Sequence, residues 1–209
     1  MRPIRSKETD FIVVHCSATP ADRDIGAADI DDMHKARGWQ GIGYHLVIRR
    51  DGRVEMGEDL RRMGAHCKGV NDRSVGVCMV GGVDEENDSA HNFEPEQFRS
   101  LASVLNLLTL MYPQASVRGH RDFSPDKNRD GVVTPDEFMK LCPCFEVDEW
   151  LSLEDPADGV YLAITGDTLA EEHAFETVED PLEGLVPEPE DEPENLVEIP
   201  EGFGDDDPS

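Results

Sequence analysis

Twelve residues in the second half of this 209-residue chain, DKNRDGVVTPDE at 126–137, have the spacing of an EF-hand calcium loop. In such a loop, alternate side chains turn their oxygens toward Ca²⁺, and a glycine, here Gly131, permits the sharp turn. The motif is complete, so the sequence predicts a calcium site, and a solvated acidic turn is the alternative. The predicted oxygen ligands are Asp126, Asn128, Asp130, the main-chain carbonyl of Val132, and Glu137.

The flanks of this loop differ from those of a complete EF-hand. The preceding residues, HRDFSP at 120–125, lack a helical pattern, so the loop would be half of an EF-hand. On the other side, Thr134 is a suitable N-cap and Pro135 suits the first helical position. We therefore predict a helix over about 135–141 that carries Lys140 and leads directly to Cys142.

Histidine and cysteine residues form a second group of candidate metal ligands. Catalytic zinc typically takes three protein ligands and leaves one position for water. His15 and His120 each end a predicted strand, and two strand ends can meet at one edge of a sheet. Cys142 and Cys144 lie two residues apart, and this spacing fits a redox-active pair, a structural pair or part of a metal site. The residues alone leave those alternatives open.

The elements that would position these residues alternate between strands and helices. Apolar runs predict strands over 11–18, 74–82 and 115–120, and Asp51-Gly52 predicts a hairpin turn between two shorter strands. A helix is predicted over about 27–37, ending before Gly38, and another begins at Pro95. The order β-α-β-β-β-α-β predicts one α/β domain over 8–153, with a mixed central sheet flanked by helices.

Charge divides the chain into two parts. The net charge is −27, and residues 151–209 contribute 20 Asp or Glu and no Lys or Arg. We expect residues 154–209 to be an acidic, largely disordered tail, because such a composition buries too little apolar surface to fold. The overall acidity argues against direct nucleic-acid binding. Five cysteines without a disulfide-scaffold spacing, and no signal peptide or membrane span, predict a reduced chain made in the cytoplasm.

Five motifs in a fixed order resemble those of one enzyme family. The stretches VVHCSATP, GYHLVIRRDGRVEMGED, GAHCKGVNDRSVGVCMVGG, RGHRD and KLCPCF together resemble the phage lysozyme-type N-acetylmuramoyl-L-alanine amidases, which are related to peptidoglycan recognition proteins. The resemblance covers roughly residues 8–150. It implies a zinc ion held by His15, His120 and Cys142, with Tyr44 and Lys140 as catalytic residues. The family pattern K-x-C-P selects Cys142 rather than Cys144 as the third ligand.

The reaction implied by this resemblance is hydrolysis of the amide between N-acetylmuramic acid and L-alanine. Zinc would lower the pKa of a water toward ~7, and Lys140 would stabilise negative charge on the carbonyl oxygen. Tyr44 would bind either the attacking water or that oxygen, and the residues leave both roles open. His66, in the loop GAHCKG, is expected to contact substrate or to support a zinc ligand.

The chain departs from compact members of the family between His120 and Cys142. These residues are 22 positions apart, and the calcium-loop residues 126–137 account for the excess. We therefore interpret the loop as an insertion, clamped by calcium, in the connection that delivers Lys140 and Cys142 to the zinc.

The predicted function is that of a phage endolysin acting on bacterial peptidoglycan. It would be made in the host cytoplasm and reach the cell wall after another protein permeabilises the inner membrane. We expect a monomer without direct membrane or nucleic-acid contacts. Phage RNA polymerase is a further possible partner, because some amidases of this type restrain it. The alternative is a non-catalytic peptidoglycan-binding or polymerase-regulating protein of the same fold.

Overall fold

A computed structural model describes residues 1–5 and 8–152, so the predicted tail at 154–209 lies outside the described residues. Among the described helices, none is long and apolar enough to cross a membrane. Short 3₁₀ helices cover Asn71–Arg73, His120–Phe123 and Pro135–Glu137. In chain order the strands and α-helices are β1 (Phe11–Cys16), α1 (Ala27–Ala36), β2 (Leu46–Ile48), β3 (Val54–Met56), β4 (Ser74–Met79), α2 (Pro95–Met111), β5 (Ser116–Gly119) and α3 (Val147–Ser152).

The five strands form one mixed sheet in the order β3-β2-β4-β1-β5. The pairs β2–β4, β4–β1 and β1–β5 are parallel, and only β2–β3 is antiparallel. Strand β1 therefore lies between β4 and the edge strand β5, and Val14 lies opposite Val77 on one side and Gly119 on the other. The predicted α/β class with a mixed central sheet is confirmed. Because β1 and β5 run in the same direction, their carboxyl ends lie at one edge of the sheet.

Local signals account for several element boundaries. Gly38 follows α1 with a φ of +85°, and Gly52 in the β2–β3 turn has a φ of +78°. Both values lie in the left-handed region that glycine adopts without strain. Helix α2 begins at Pro95 with Glu94 as its N-cap, as the sequence predicts.

The sheet has an apolar core on each face. Helix α2 covers one face with Phe98, Leu101, Leu105 and Leu108, all fully buried. Burial of each such side chain stabilises the fold by about 1.5–3 kcal/mol. The opposite face packs against α1 in a smaller cluster, which contains Ile25, Ala27, Ile30, Ile42, Val47, Cys78 and Val80.

An aromatic cluster ties the end of the described chain to α2. The ring centroid of Phe145 lies 5.2 Å from that of Phe98 and 6.1 Å from that of Trp150 in α3. Because Phe145 follows Cys142 by three residues, this packing anchors the segment that carries the cysteine.

The predicted helix over 135–141 is wrong. Only Pro135–Glu137 form one 3₁₀ turn, which starts at Thr134 as expected, and Phe138 leaves it with a ψ of 126°. Tertiary contacts then hold an irregular path with a bend at Met139: the N–H of Met139 donates to Ser124 Oγ at 3.1 Å, and the Arg121 guanidinium lies 5.2 Å from the centre of the Phe138 ring. Tertiary contacts therefore override the local helix propensity of this segment.

His45 links the start of β2 to β4. Its N–H donates to the carbonyl of Gly76, and the Gly76 N–H donates to His45 Nδ1, both at 2.9 Å. His45 Nε2 therefore carries the proton and donates to the carbonyl of Arg62 at 3.1 Å. Burial lowers the pKa of His45 to about 4, so the imidazole is neutral in the folded protein at pH 7.

We predict that His45 makes the free energy of unfolding depend on pH below neutrality. Its folded pKa of about 4 lies below the unfolded value of about 6.5, so protonation favours the unfolded chain. The stabilisation is complete above pH 6.5 and is lost as pH falls toward 4, by about 2 kcal/mol at pH 5.

Urea unfolding at pH 7 and pH 5 would test this, with His45→Asn as the variant that keeps an acceptor near Nδ1 but cannot titrate. Other buried histidines titrate in both proteins, so the comparison isolates His45. The loss of stability between the two pH values should be about 2 kcal/mol smaller in the variant. Equal losses would contradict the assignment.

Candidate metal centre and active site

Three side chains converge at the carboxyl edge of the sheet. His15 lies near the end of β1, His120 directly follows β5, and Cys142 lies on the segment that returns to this edge. His15 Nδ1 is 3.1 Å from His120 Nδ1 and 3.8 Å from Cys142 Sγ. Among residues 1–5 and 8–152, this is the one group of three or more His, Cys, Asp or Glu side chains whose potential ligand atoms all lie within 4.8 Å of one another.

The geometry of this trio fits a tetrahedral metal site. With Zn–N bonds of about 2.0–2.1 Å and a Zn–S bond of about 2.3 Å, tetrahedral angles require roughly 3.3 Å between two nitrogens and roughly 3.6 Å between nitrogen and sulfur. The observed 3.1 Å and 3.8 Å lie close to those values. Two imidazole nitrogens and a thiolate suit zinc, and three protein ligands leave a fourth position for water or substrate.

Both histidines of the trio are held in the neutral form. Burial lowers the pKa of His120 to about 3. The pKa of His15 is also well below its usual value, chiefly because of burial and secondarily because His120 and His66 lie close to it. A metal ligand must offer a free lone pair, so the burial of this edge prepares both imidazoles for coordination.

A chain of hydrogen bonds determines which nitrogen of His15 is free. Ser74 Oγ donates to the carbonyl of Val70 at 2.8 Å, so its lone pairs accept from His66 Nε2 at 3.4 Å. His66 Nδ1 is then an acceptor for the N–H of His15 Nε2 at 3.0 Å. His15 Nδ1 is left unprotonated, and this atom faces His120 and Cys142.

The thiol of Cys142 is positioned by main-chain groups. The N–H of Cys16 donates to Cys142 Sγ at 3.2 Å, and the N–H of Arg121 donates to the carbonyl of Cys142 at 2.9 Å. These bonds attach the cysteine segment both to β1 and to the turn that follows β5. Burial raises the pKa of Cys142 well above its usual value, and the N–H of Cys16 acts in the opposite direction because it stabilises the thiolate, the form that binds metal.

Tyr44 and Lys140, implied as catalytic by the resemblance, both lie near the trio. The Tyr44 ring centroid is 5.1 Å from that of His15, and burial raises the pKa of Tyr44 well above its usual value, so its hydroxyl stays protonated. Burial lowers the pKa of Lys140 to about 8, which leaves it mainly protonated at pH 7. The charge of Lys140 adds to the effect of burial in lowering the pKa of His120.

The structure places His66, whose role the sequence left open, and shows what Asp122 does beside His120. His66 is buried, with 6% of its surface exposed, and its contact with His15 is that of a residue supporting a ligand. Direct contact of His66 with substrate stays a prediction. Asp122 Oδ2 accepts the N–H of Gly119 at 2.7 Å, which closes the turn that presents His120.

Two further positioning residues were missed by the sequence interpretation. Ser74 completes the hydrogen-bond chain behind His15, and Asn71 Oδ1 accepts the N–H groups of both His66 and Cys67 at 2.9 Å. Both lie within the quoted motif GAHCKGVNDRSVGVCMVGG, but only His66 of that motif was singled out there. Their roles depend on the register of β4 against β1, which places Ser74 opposite Phe11.

The predicted calcium loop is held in shape by hydrogen bonds between its own residues. The Asp126 carboxylate accepts the N–H groups of Arg129 and Gly131, and Gly131 has a φ of +91°. Glu137 is buried and accepts the N–H groups of Lys127 and Thr134. The acidic side chains of this loop do not form a second group of the kind found at the trio, within the part of the chain that the structure describes. Calcium binding stays a prediction.

Comparison with known proteins yields one family and its relatives. The family model described as N-acetylmuramoyl-L-alanine amidase matches residues 5–136. The endolysin of Enterobacteria phage K11 is 42% identical over 147 residues, which cover 70% of this chain and 88% of the relative. The endolysin of Escherichia phage T7 is 40% identical over 144 residues, covering 69% and 86%. Among solved structures, the N-acetylmuramoyl-L-alanine amidase LysC from Clostridium intestinale URNW has a TM-score of 0.50 and 27% identity, covering 68% of this chain and 85% of that one.

We predict that removing the His66 imidazole weakens metal binding although His66 is not itself a ligand. His66→Ala leaves His15 Nε2 without its acceptor, so both proton positions of His15 become accessible. Loss of such a supporting contact typically lowers metal affinity 10–100-fold. Competition between the protein and a chromogenic chelator for Zn²⁺ measures this affinity.

His66→Asn is the matched control, because its amide oxygen can accept from His15 Nε2 in place of Nδ1. We expect this variant to retain most of the affinity. Unchanged affinity in His66→Ala, with its thermal stability also unchanged, would show that the contact does not orient His15.

Proposed function

Because this chain belongs to the N-acetylmuramoyl-L-alanine amidase family, we propose that it hydrolyses bacterial peptidoglycan as a zinc-dependent amidase of the endolysin type. The bond cut is the amide between N-acetylmuramic acid and the L-alanine of the stem peptide. The convergence of His15, His120 and Cys142 within 4.8 Å is the observation that supports zinc as the cofactor. When bound, zinc supplies Lewis acidity and lowers the pKa of a water toward ~7.

The residues of the trio would bind zinc in defined chemical forms. His15 and His120 would coordinate through Nδ1 as neutral imidazoles, and Cys142 would coordinate as a thiolate. His66 would hold the proton of His15 on Nε2 and so keep Nδ1 directed at the metal. The site is buried, and exclusion of water around it strengthens each electrostatic interaction with the substrate.

Tyr44 and Lys140 would act on the substrate carbonyl and on the water. As a cation, Lys140 would stabilise the negative charge that develops on the carbonyl oxygen. Tyr44, held protonated by burial, would hydrogen-bond either that oxygen or the attacking water. A protein that only bound peptidoglycan would not need the three metal-ligating side chains together with both of these groups. We therefore favour the enzyme over the non-catalytic binding protein.

The substrate, the place of action and the partners have different support. Peptidoglycan as substrate follows from the family and from the endolysin relatives. Synthesis in the host cytoplasm followed by action on the cell wall agrees with those relatives. Binding to phage RNA polymerase and a monomeric state stay predictions.

We predict that purified protein releases new L-alanine amino termini from peptidoglycan without new reducing sugar ends. Both products can be quantified in one digest, the amino groups by N-terminal labelling and the sugars by a reducing-end assay. His15→Ala and Cys142→Ala should each lose bound zinc and at least 100-fold of the activity, roughly the effect of removing a catalytic metal's contribution. Cys144→Ser is the matched control and should keep one zinc and full activity. New reducing ends would instead indicate cleavage of the glycan.

Calcium binding by the loop at 126–137 is a second cofactor proposal. Its motif positions are complete, and Gly131 adopts the left-handed conformation that the turn requires. The predicted helix after the loop is absent from the structure. An effect of calcium on the zinc site would therefore pass through Phe138, which packs against the Arg121 guanidinium, and then through the hydrogen bond from the Arg121 N–H to the Cys142 carbonyl.

We predict that Glu137→Gln weakens Ca²⁺ binding at least 10-fold, because a bidentate carboxylate supplies two of the oxygens in such loops. Isothermal titration of the zinc-loaded protein with Ca²⁺ measures this. Asp136→Asn removes a neighbouring charge at a position that is not a ligand, so it should change the affinity only slightly. Absence of any Ca²⁺ binding in the unmodified protein would mean that the loop is a solvated turn.

A further inference from the structure

A second pair of sulfur atoms lies beside the metal trio. Cys16 Sγ and Cys144 Sγ are 3.7 Å apart, although the two residues are 128 positions apart in the chain. Cys16 ends β1 immediately after His15, and Cys144 follows Cys142 by two residues. Both thiols are free, and neither belongs to the trio.

Local packing holds these two sulfurs against each other. Gly82 borders them, and a Cβ at this position would lie 2.7 Å from Cys16 Sγ and 3.5 Å from Cys144 Sγ. Its carbonyl accepts a hydrogen bond from Cys144 Sγ at 3.2 Å. Cys144 itself has a φ of +74°, a conformation that is uncommon outside glycine and asparagine and that turns the main chain sharply here. The absence of a side chain at Gly82 leaves the space that the sulfur pair occupies.

We propose that Cys16 and Cys144 form a disulfide when the protein meets a low-molecular-weight disulfide such as oxidised glutathione. An S–S bond is about 2.05 Å long, so the two sulfurs must approach by about 1.7 Å. Cys144 is half-buried and therefore accessible, whereas Cys16 is buried.

The exchange proceeds in two steps. The Cys144 thiolate attacks one sulfur of the oxidant, forms a mixed disulfide and releases one glutathione thiolate. The Cys16 thiolate then attacks Cys144 Sγ, forms the internal bond and releases the second glutathione thiolate. Two protein thiols are oxidised, their two protons pass to solvent or to the leaving thiolates, and one glutathione disulfide is reduced.

Cys142 is the competing partner for Cys16, and its position argues against that bond. Cys142 Sγ faces His15 Nδ1 and accepts the N–H of Cys16, as a metal-bound thiolate would. In the zinc-loaded protein Cys142 would be held as a ligand of the metal. The Cys16–Cys144 bond would therefore join the two ligand-bearing segments without consuming a ligand.

The timing of this bond rests on the proposed function, whereas its chemistry does not. The cytosol keeps thiols reduced, and the compartments outside the inner membrane are more oxidising. An enzyme made in the cytosol and acting on the wall would carry free thiols at synthesis and the cross-link where its substrate lies. The bond would close a long loop and restrict the unfolded chain, which raises the melting temperature.

The test uses the full, zinc-loaded chain incubated with oxidised glutathione. Intact mass should fall by about 2 Da, the two hydrogens lost on forming one internal disulfide. Non-reducing peptide mapping should join the Cys16 and Cys144 peptides, and one zinc per chain should be retained. The melting temperature should rise by about 5–10 °C. Cys144→Ser and Cys144→Ala should show neither the mass change nor the temperature shift.

Three results would overturn the proposal: a Cys16–Cys142 link with release of zinc, a glutathione adduct that persists on Cys144, or no change in mass. Because the bond is scored by mass and mapping, these outcomes do not depend on amidase activity. A protein that forms the bond but does not cleave peptidoglycan would instead contradict the proposed function alone.

Discussion

The parallel pairing of β1 with β5 is the constraint on which the convergence of His15, His120 and Cys142 depends. Val14 lies opposite Gly119 in this pairing. The residues that follow them, His15 and His120, therefore lie side by side at the same edge of the sheet. A shift of register by one residue would turn one imidazole to the other face of the sheet. The apolar cores on both faces hold this register, because burial on each side penalises any slip.

Burial sets the protonation states of the side chains at this edge of the sheet. It lowers the pKa values of both ligand histidines and raises that of Tyr44, so all three groups are neutral at pH 7. Lys140 remains mainly protonated and supplies positive charge beside a site that holds otherwise uncharged donors. The chain His15–His66–Ser74 then leaves Nδ1 of His15 unprotonated and facing His120 and Cys142. Desolvation and hydrogen bonding therefore prepare the donors before a metal binds.

The segment after β5 connects three features that look independent in the sequence. It contains the acidic loop, the irregular residues 138–141 and the cysteines 142 and 144, and the aromatic packing of Phe145 anchors its end. The main-chain bond from Arg121 to Cys142 brings the two ends of this long connection together. A long connection of this kind costs little stability, because loop-closure entropy rises slowly with loop length.

The sequence by itself predicted most of the strands and the two longer helices and, through a family resemblance, His15, His120 and Cys142 as metal ligands. Apolar periodicity, the proline at the start of α2 and the glycines after α1 and in the β2–β3 turn are local signals, and a motif such as K-x-C-P needs no coordinates. Only the tertiary structure decided that Phe138 leaves the predicted helix, that Ser74 and Asn71 support the site, and that Cys16 lies against Cys144. Each of these depends on contacts between residues brought together by strand register and burial. Local propensity carries no information about such contacts, because they arise only when the sheet and its two cores have formed.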